Sequence, residues 1–229
     1  QLSFKELVEL HGETERRILE ESYLVAERVN IAADFYMKAA VRALEKHGLD
    51  PAQHLAHLPE TVVHQAMERL AAVGRGEADL SAFQKLFGHR APQDYELAQP
   101  RYAENPKLAR SMAQRAGAYA TTSATHAAPE LRAKVLRLQV ERARRFQALK
   151  EEAKHHALRD FAFLRALLVE MGERLHVGDG VFQLVRSEIE RLEDPTFRQD
   201  EAPRRIRERQ EAARAFQGVP LTGEITLAM

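Results

Sequence analysis

The sequence predicts an all-α protein: a multi-helix domain with two long antiparallel helices and shorter helices packed around them. Residues 13–47 contain neither Gly nor Pro, and residues 130–171 are equally free of both. Apolar residues recur in both stretches at helical spacing, whereas strands would show alternation. The sequence shows no repeat and no coherent pattern of parallel strands. We therefore predict one long helix at about 13–47 and another at about 129–172.

Local signals predict where the N-terminal helices begin and end. Ser3 and Glu6 have the spacing of a capping box, which predicts a helix starting at Phe4. Gly12 is expected to interrupt this helix, because glycine weakens helix interiors. Gly48 is expected to end the long helix that follows, since glycine favours the position just beyond a helix.

Shorter helices are predicted to begin at Asp50, near residue 60, near residue 78 and at Asn105. Residues 88–106, by contrast, hold three prolines and two tyrosines and follow no clean period. This composition predicts an ordered loop with little helix. Residues 121–125 are small and polar, and they are expected to be mobile.

The second half of the 130–171 stretch predicts a buried core helix, because apolar residues cover most of its circumference. The residues that form this surface are Leu158, Phe161, Phe163, Leu164, Leu167, Leu168 and Met171. Beyond it, the apolar residues 181–185 are predicted to be extended. Ser187 and Glu190 form a second capping box, and residues 202–217 are predicted to form a last, strongly charged helix.

Composition limits the classes of function. The chain has 229 residues, of which 45% are hydrophobic and 30% charged, as in a globular protein. Lys and Arg total 34, as do Asp and Glu, so no overall charge attracts nucleic acid or an anionic membrane. The absence of cysteine excludes disulfides and zinc-thiolate sites. We expect a cytoplasmic protein, with no nucleic-acid or membrane partner.

The two ends of the sequence predict that the chain is a fragment of a larger protein. It begins with Gln1, and residues 218–229 have the composition of a linker to a next domain. We therefore expect a single helical domain over residues 1–229, belonging to a multidomain protein.

The loop of residues 88–106 is the strongest candidate for a ligand site. It concentrates charged and hydrogen-bonding side chains on a short segment, and such loops can direct several polar groups at one point. Its candidate ligand-binding residues are His89, Arg90, Asp94, Glu96 and Arg101. A structural interpretation stays open, since these arginines and carboxylates can also pair with one another to fix an irregular loop.

A metal site is a weaker hypothesis. Glu152 and His155 have the Glu-x-x-His spacing that di-iron bundle proteins use on one helix face. Those proteins need a second such pair, which this sequence lacks. Exposed polar residues on a helix explain the spacing more simply, so we expect no metal ligands. Phosphate-binding glycine loops, nucleophile elbows and catalytic Cys/His pairs are likewise absent from the sequence.

Two blocks of sequence resemble the helical middle region of phosphotransferases related to phosphoenolpyruvate synthase and pyruvate phosphate dikinase, including rifampin phosphotransferase. The first block is Gly88-His89-Arg90, followed by Tyr95-Glu96-Leu97 and Pro100-Arg101-Tyr102-Ala103-Glu104-Asn105-Pro106. The second block spans residues 151–192 and includes Glu170-Met171-Gly172-Glu173-Arg174-Leu175 and Gly178-Asp179-Gly180. The two blocks occur in the same order as in the family and cover about half of the chain.

The resemblance implies a division of labour. Such enzymes join an ATP-grasp domain, a helical region and a mobile domain whose histidine carries a phosphoryl group. This chain would be the helical region alone, without catalytic residues, and those two domains of the same polypeptide would be its partners. ATP and Mg would belong to the parent enzyme, with no cofactor in this chain.

We therefore expect a substrate-binding or linker domain that helps to hold the phosphoryl acceptor. The resemblance implies a small apolar acceptor, and Tyr36 and Phe161, with Phe35 and Phe163, are the expected lining of an apolar cavity. Ordinary core packing is the alternative explanation for each of these rings. The alternative function is a helical protein-interaction module with no small-molecule site.

Overall fold

The computed structural model describes residues 2–55, 61–119 and 130–216, which contain helices and loops but no β-strand. The all-α prediction is confirmed. The α-helices are α1 (Phe4–Arg17), α2 (Tyr23–Lys46), α3 (Pro51–Leu55), α4 (Val62–Gly74), α5 (Leu80–Phe87), α6 (Pro106–Tyr119), α7 (Lys134–Arg174), α8 (Arg186–Glu190) and α9 (Ala202–Phe216). Short 3-10 segments cover Gly178–Gln183 and Arg191–Glu193, and π-helical turns cover Ile18–Ser22 and Phe197–Glu201. The predicted linker, 218–229, and the polar segment 121–125 lie outside the described residues.

Several helix ends follow from local side-chain hydrogen bonds. Ser3 and Glu6 cap α1 reciprocally: Glu6 N donates to Ser3 Oγ at 3.2 Å, and Ser3 N donates to Glu6 Oε2 at 2.6 Å. Asn105 Oδ1 accepts a hydrogen bond from Leu108 N at 2.9 Å, which caps α6. Gly48 follows α2 with a φ of +70°, in the left-handed region that favours glycine.

The predicted break at Gly12 is wrong, because α1 continues through this residue to Arg17. A glycine inside a helix costs only about 1 kcal/mol, which the burial of Leu7 and Val8 on the same helix can offset. The predicted helix of residues 13–47 is instead the end of α1, a π-helical turn and α2.

Two C-terminal predictions are also corrected. Of residues 181–185, only Leu184 and Val185 have extended backbone, whereas Val181 is buried within the 3-10 segment Gly178–Gln183. A short apolar run does not by itself distinguish a strand from a helical turn. The cap of α8 is formed by Val185 and Glu188 instead of Ser187 and Glu190. Val185 N donates to Glu188 Oε2 at 3.0 Å, so α8 begins at Arg186.

The chain divides into two compact units, a larger one of Thr14–Leu164 and a smaller one of Gln1–Glu13 with Arg165–Met229. In the larger unit α2 packs against the N-terminal part of α7. The ring centroids of Tyr23 and Phe161 are 6.3 Å apart, and those of Tyr36 and Phe146 are 4.4 Å apart. The later residue on α2, Tyr36, contacts the earlier residue on α7, Phe146, so the two long helices are antiparallel, as predicted.

A second part of the larger unit is built on the close crossing of α4 and α6. A Cβ atom on Gly74 would lie 2.0 Å from the carbonyl oxygen of Ala113, so only glycine permits this approach. Around the crossing is a buried cluster of small and aromatic side chains: Ala66, Leu70, Ala71, Phe83, Phe87, Tyr102, Ala109, Ala113 and Ala116. This core supports the residues that follow α5.

The smaller unit is centred on a buried carboxylate. Glu188 on α8 accepts hydrogen bonds from Arg205 Nη1 at 2.6 Å and from both Nη atoms of Arg209, at 2.5 and 2.8 Å. The hydrogen bonds from Arg209, together with those from Val185 N and Arg205, lower the pKa of Glu188 to about 2. The carboxylate therefore stays ionised and joins α8 to α9.

In the described ranges, no helix combines the length and apolar character that crossing a membrane requires.

Candidate functional site

The loop between α5 and α6 is tied back on itself by backbone hydrogen bonds. Tyr102 N donates to Arg90 O, and Ala103 N donates to Gly88 O, both at 2.9 Å. Gly88 is required at its start, because a Cβ atom there would lie 2.2 Å from the carbonyl oxygen of Gln84. The sequence prediction of an ordered loop is therefore confirmed.

Asp94 is the centre of the charged side chains in this loop. Arg90 Nη2 lies 2.7 Å from Asp94 Oδ2, Lys154 Nζ on α7 lies 3.1 Å from the same oxygen, and Ala91 N donates to Oδ1 at 3.2 Å. Burial by itself would raise the pKa of Asp94, but the hydrogen bonds and charges of these partners bring it below its usual value. Asp94 is thus an anion that joins the loop to α7.

The remaining charged loop residues fall into two groups. Arg101 is fully buried, and its Nη1 donates to the carbonyl oxygen of Asp94 at 2.7 Å. Glu96 is directed elsewhere: its Oε1 accepts from Ala98 N at 2.9 Å at an exposed site. The structure therefore brings Arg90, Asp94 and Arg101 together, in an arrangement that fixes the loop, and leaves Glu96 apart.

Two histidines pack against each other beside this network. His89 follows α5 and His155 lies on α7, and their ring centroids are 4.6 Å apart at an angle of 71°. Phe87 covers His155 at 5.6 Å, and His155 is only 6% exposed. In the described part of the chain, no hydrogen-bond partner reaches His89 Nε2 or His155 Nδ1, although both atoms are buried. Each ring therefore has one buried nitrogen that is unpaired within the described residues.

Both imidazoles are neutral at pH 7. Burial lowers the pKa of His155 to about 4, and the positive charges of Arg159 and Arg90 add to the shift. Burial also lowers the pKa of His89 to about 4, with His155 and Arg159 acting in the same direction. A neutral imidazole offers one donor and one acceptor, so the pair suits a polar, uncharged group.

His155 lines a pocket of about 320 Å³. Its described lining is Thr61, Val62, Gln65, Ala148, Glu152, His155 and His156. Thr61 and His155 are buried, whereas Gln65, Glu152 and His156 are exposed, so the first two form the floor and the others the rim. The size is in the range of small-molecule sites.

The pocket's polar groups include both donors and acceptors. Thr61 caps α4, since its Oγ1 accepts from His64 N at 3.1 Å, and its hydroxyl proton remains able to donate. Gln65 supplies an amide and Glu152 a carboxylate. One anionic carboxylate and a neutral imidazole disfavour a strongly anionic ligand, so the arrangement fits a small neutral molecule with hydroxyl groups.

The predicted aromatic residues do not line one cavity: Tyr36 and Phe161 lie in separate clusters, and Phe35 and Phe163 are exposed. Tyr36 contacts the rings of Phe35 and Phe146, at 5.5 and 4.4 Å between centroids. Phe161 instead packs against Tyr23 and Tyr95. Neither Tyr36 nor Phe161 is among the residues that line the His155 pocket.

Sequence reasoning connected Glu152 and His155 only through a metal hypothesis. Both line the pocket, but in the ranges that the structure describes no three His, Cys, Asp or Glu side chains converge as metal ligands. Thr61 and Gln65 were missed, because they are about ninety residues from His155 and only the packing of α4 near α7 brings them close. The one local signal at Thr61 is its pattern as a helix cap.

Comparisons with protein-family models, with curated proteins and with solved structures give no match for this chain.

Proposed function

We propose that this chain is the substrate-binding helical domain of an ATP-dependent, dikinase-type phosphotransferase related to phosphoenolpyruvate synthase. In this proposal the ATP-grasp and phosphohistidine domains lie outside the chain, and the helical domain holds the phosphoryl acceptor. The observation that carries the proposal is the buried imidazole of His155, whose Nδ1 has no partner in the described residues and which lines a polar pocket.

The position of the pocket supports the connection with the family. His89 belongs to the first block of sequence that resembles these enzymes, and His155 belongs to the second. Their rings are in contact, so the two blocks meet beside the pocket. The Arg90–Asp94–Lys154 network holds the first block against α7 and so fixes the position of His89.

The chemistry of the pocket supports an acceptor role. A phosphoryl acceptor must present a nucleophilic oxygen or nitrogen, and such a group needs hydrogen-bond partners that orient it. His155, Thr61, Gln65 and Glu152 offer these partners. The sequence contains neither a phosphate-binding glycine loop nor a Gly-Gly step followed by a Ser/Cys-His pair, which agrees with a domain that holds the acceptor and leaves ATP chemistry to others.

The proposal is tested by screening neutral, hydroxyl-bearing fragments against the whole chain by calorimetry. The fragments that bind should lose affinity about tenfold or more in His155→Leu, which removes the pocket nitrogens at similar volume. Glu152→Gln should also weaken the binding of these fragments. The matched variant Glu151→Gln should leave their binding unchanged, because Glu151 is not among the pocket-lining residues. Circular dichroism establishes that each variant folds. Fragments that bind wild type and His155→Leu equally well would refute the pocket assignment.

A helical protein-interaction module is the second candidate function. It is favoured by the large apolar side chains that α2 and α7 leave exposed, among them Ile31, Phe35 and Leu138. The fragment screen separates the two functions, because a pure interaction module has no reason to bind small hydroxylated molecules through His155.

A further inference from the structure

The N-terminal half of α7 carries a groove that the acceptor site does not use. It measures about 480 Å³ and is lined by Leu138, Glu141, Arg142, Arg145, Phe146 and Leu149. We refer to it as the α7 groove. Leu138, Arg142, Arg145 and Leu149 follow one another at spacings of four, three and four residues, so they form a single stripe along the helix.

Apolar side chains are exposed along this stripe and on the neighbouring helix. Leu138 is 51% exposed, and Phe35 on α2 is 66% exposed. Tyr36 contacts both Phe35 and Phe146, so the apolar surface of α2 is continuous with the α7 groove. Ile31 lies one turn before Phe35 on the same face of α2 and is also exposed. Contiguous exposed apolar surface of this kind is typical of interaction sites.

The charge of the groove is positive. Glu141 is engaged by Arg137 of the same helix at 3.9 Å. Arg142 and Arg145, by contrast, have no ion pair with a carboxylate within the described ranges, and the Arg142 guanidinium lies 5.5 Å from the centre of the Tyr36 ring. Two cations therefore remain beside apolar surface, where they can meet carboxylates of a partner.

The same charges argue against a second copy of this chain as the occupant. Pairing two stripes antiparallel, centred between Arg142 and Arg145, would place arginine opposite arginine in the middle of the interface. Such like-charge contacts disfavour association. An acidic partner would instead neutralise both residues.

We propose that the α7 groove docks an amphipathic helix from a partner protein, with apolar residues on one face and Asp or Glu beside them. From Leu138 to Leu149 the stripe is about 16 Å long, which corresponds to about three turns of a docked helix. The apolar residues of that helix, at helical spacing, would fill the space beside Leu138, Phe146 and Leu149, and its carboxylates would pair with Arg142 and Arg145. The proposal does not depend on the function of the His155 pocket.

The test uses two capped peptides of about 14 residues, which span about four helical turns. Both carry Leu at helical spacing on one face, and they differ only in whether the flanking residues are Glu or Lys. Fluorescence anisotropy with the whole chain should show saturable binding of the Glu peptide, weakening with salt, and binding of the Lys peptide at least tenfold weaker.

Matched variants locate the binding site. The double variant Arg142→Glu/Arg145→Glu should bind the Glu peptide at least tenfold more weakly, and so should Leu138→Asp, whose exposed position leaves the core intact. Arg110→Glu/Arg115→Glu makes the same charge change on exposed positions of α6 and should bind like wild type.

The proposal is overturned by any of four results: no saturable binding of the Glu peptide, equal affinity for both peptides, equal loss in the α6 control, or no loss in Leu138→Asp. Sedimentation of the chain without peptide provides a further check. A dimer that Leu138→Asp dissociates would identify a second copy as the occupant and would also overturn it.

Discussion

At the scale of single residues, His155 combines burial with an unpaired polar atom. It is buried, and its Nδ1 has no hydrogen-bond partner among the described residues. Leaving a buried polar atom unpaired costs about 1–3 kcal/mol, so the arrangement needs an explanation. In the proposed function, the acceptor bound in the adjoining pocket would be the partner of this nitrogen.

The low pKa of His155 predicts how stability depends on pH. Because the pKa is about 4 in the folded chain and near 6.5 otherwise, the unfolded chain binds more protons between these values. Stability is therefore complete above about pH 6.5 and falls as the pH drops towards 4. At pH 5 the contribution of His155 to this loss is about 1–2 kcal/mol.

Urea unfolding at several pH values measures this effect. His89 and His11, whose pKa values burial also lowers, change stability in the same direction, so the comparison with a variant isolates His155. His155→Leu should flatten the pH dependence between pH 6.5 and 4. A slope equal to that of wild type would show that His155 titrates normally in the folded chain.

Asp94 provides a second prediction at this scale. Asp94→Asn removes the negative charge that pairs with Arg90 and Lys154. The two cations then lie close together without a counter-charge from Asp94. We expect a loss of about 2–4 kcal/mol in the free energy of unfolding. Glu96→Gln is the control, because Glu96 is exposed and the amide oxygen of the substituted glutamine can still accept from Ala98 N. The free energy of unfolding is therefore expected to change by no more than about 0.5 kcal/mol. Similar losses for both variants would contradict the central role of Asp94.

At the scale of the helix, the sequence predicted those helix ends that are set by hydrogen bonds between residues close together in the chain. The caps at Ser3 and Asn105 were predictable because their hydrogen bonds involve residues three positions away. The continuation of α1 through Gly12 was not, because the packing that offsets the cost of a helical glycine lies outside the local sequence.

Two glycines on different helices should respond oppositely to alanine. Gly74→Ala would place a methyl group 2.0 Å from the carbonyl oxygen of Ala113, so α4 and α6 must separate. The expected loss in unfolding free energy is about 1–3 kcal/mol. Gly12→Ala meets no atom within 4 Å and should stabilise α1 by about 0.5–1 kcal/mol. Thermal unfolding of both variants distinguishes a crowded crossing from an ordinary helix position. The crossing would be less close than described if Gly74→Ala were also stabilising.

At the scale of the whole molecule, the all-α class and the antiparallel pairing of the long helices follow from two long stretches of helical periodicity. The candidate site could be predicted from the sequence only in part. Arg90, Asp94 and Arg101 could be grouped from sequence because they lie within twelve residues of one another. The pocket could not, because it joins Thr61 and Gln65 to His155 across about ninety residues, and no local pattern reports such a contact.

The central claim is that this chain supplies a pocket for an acceptor and no nucleotide chemistry of its own. Nuclear magnetic resonance of the whole chain with labelled histidines tests it directly, with the His155 signal assigned by its loss in His155→Leu. Neutral hydroxylated fragments should shift the His155 signal saturably, whereas ATP with Mg²⁺ should leave it unchanged and should not be hydrolysed. Binding or hydrolysis of ATP by the chain, or a His155 signal that no fragment moves, would contradict the claim.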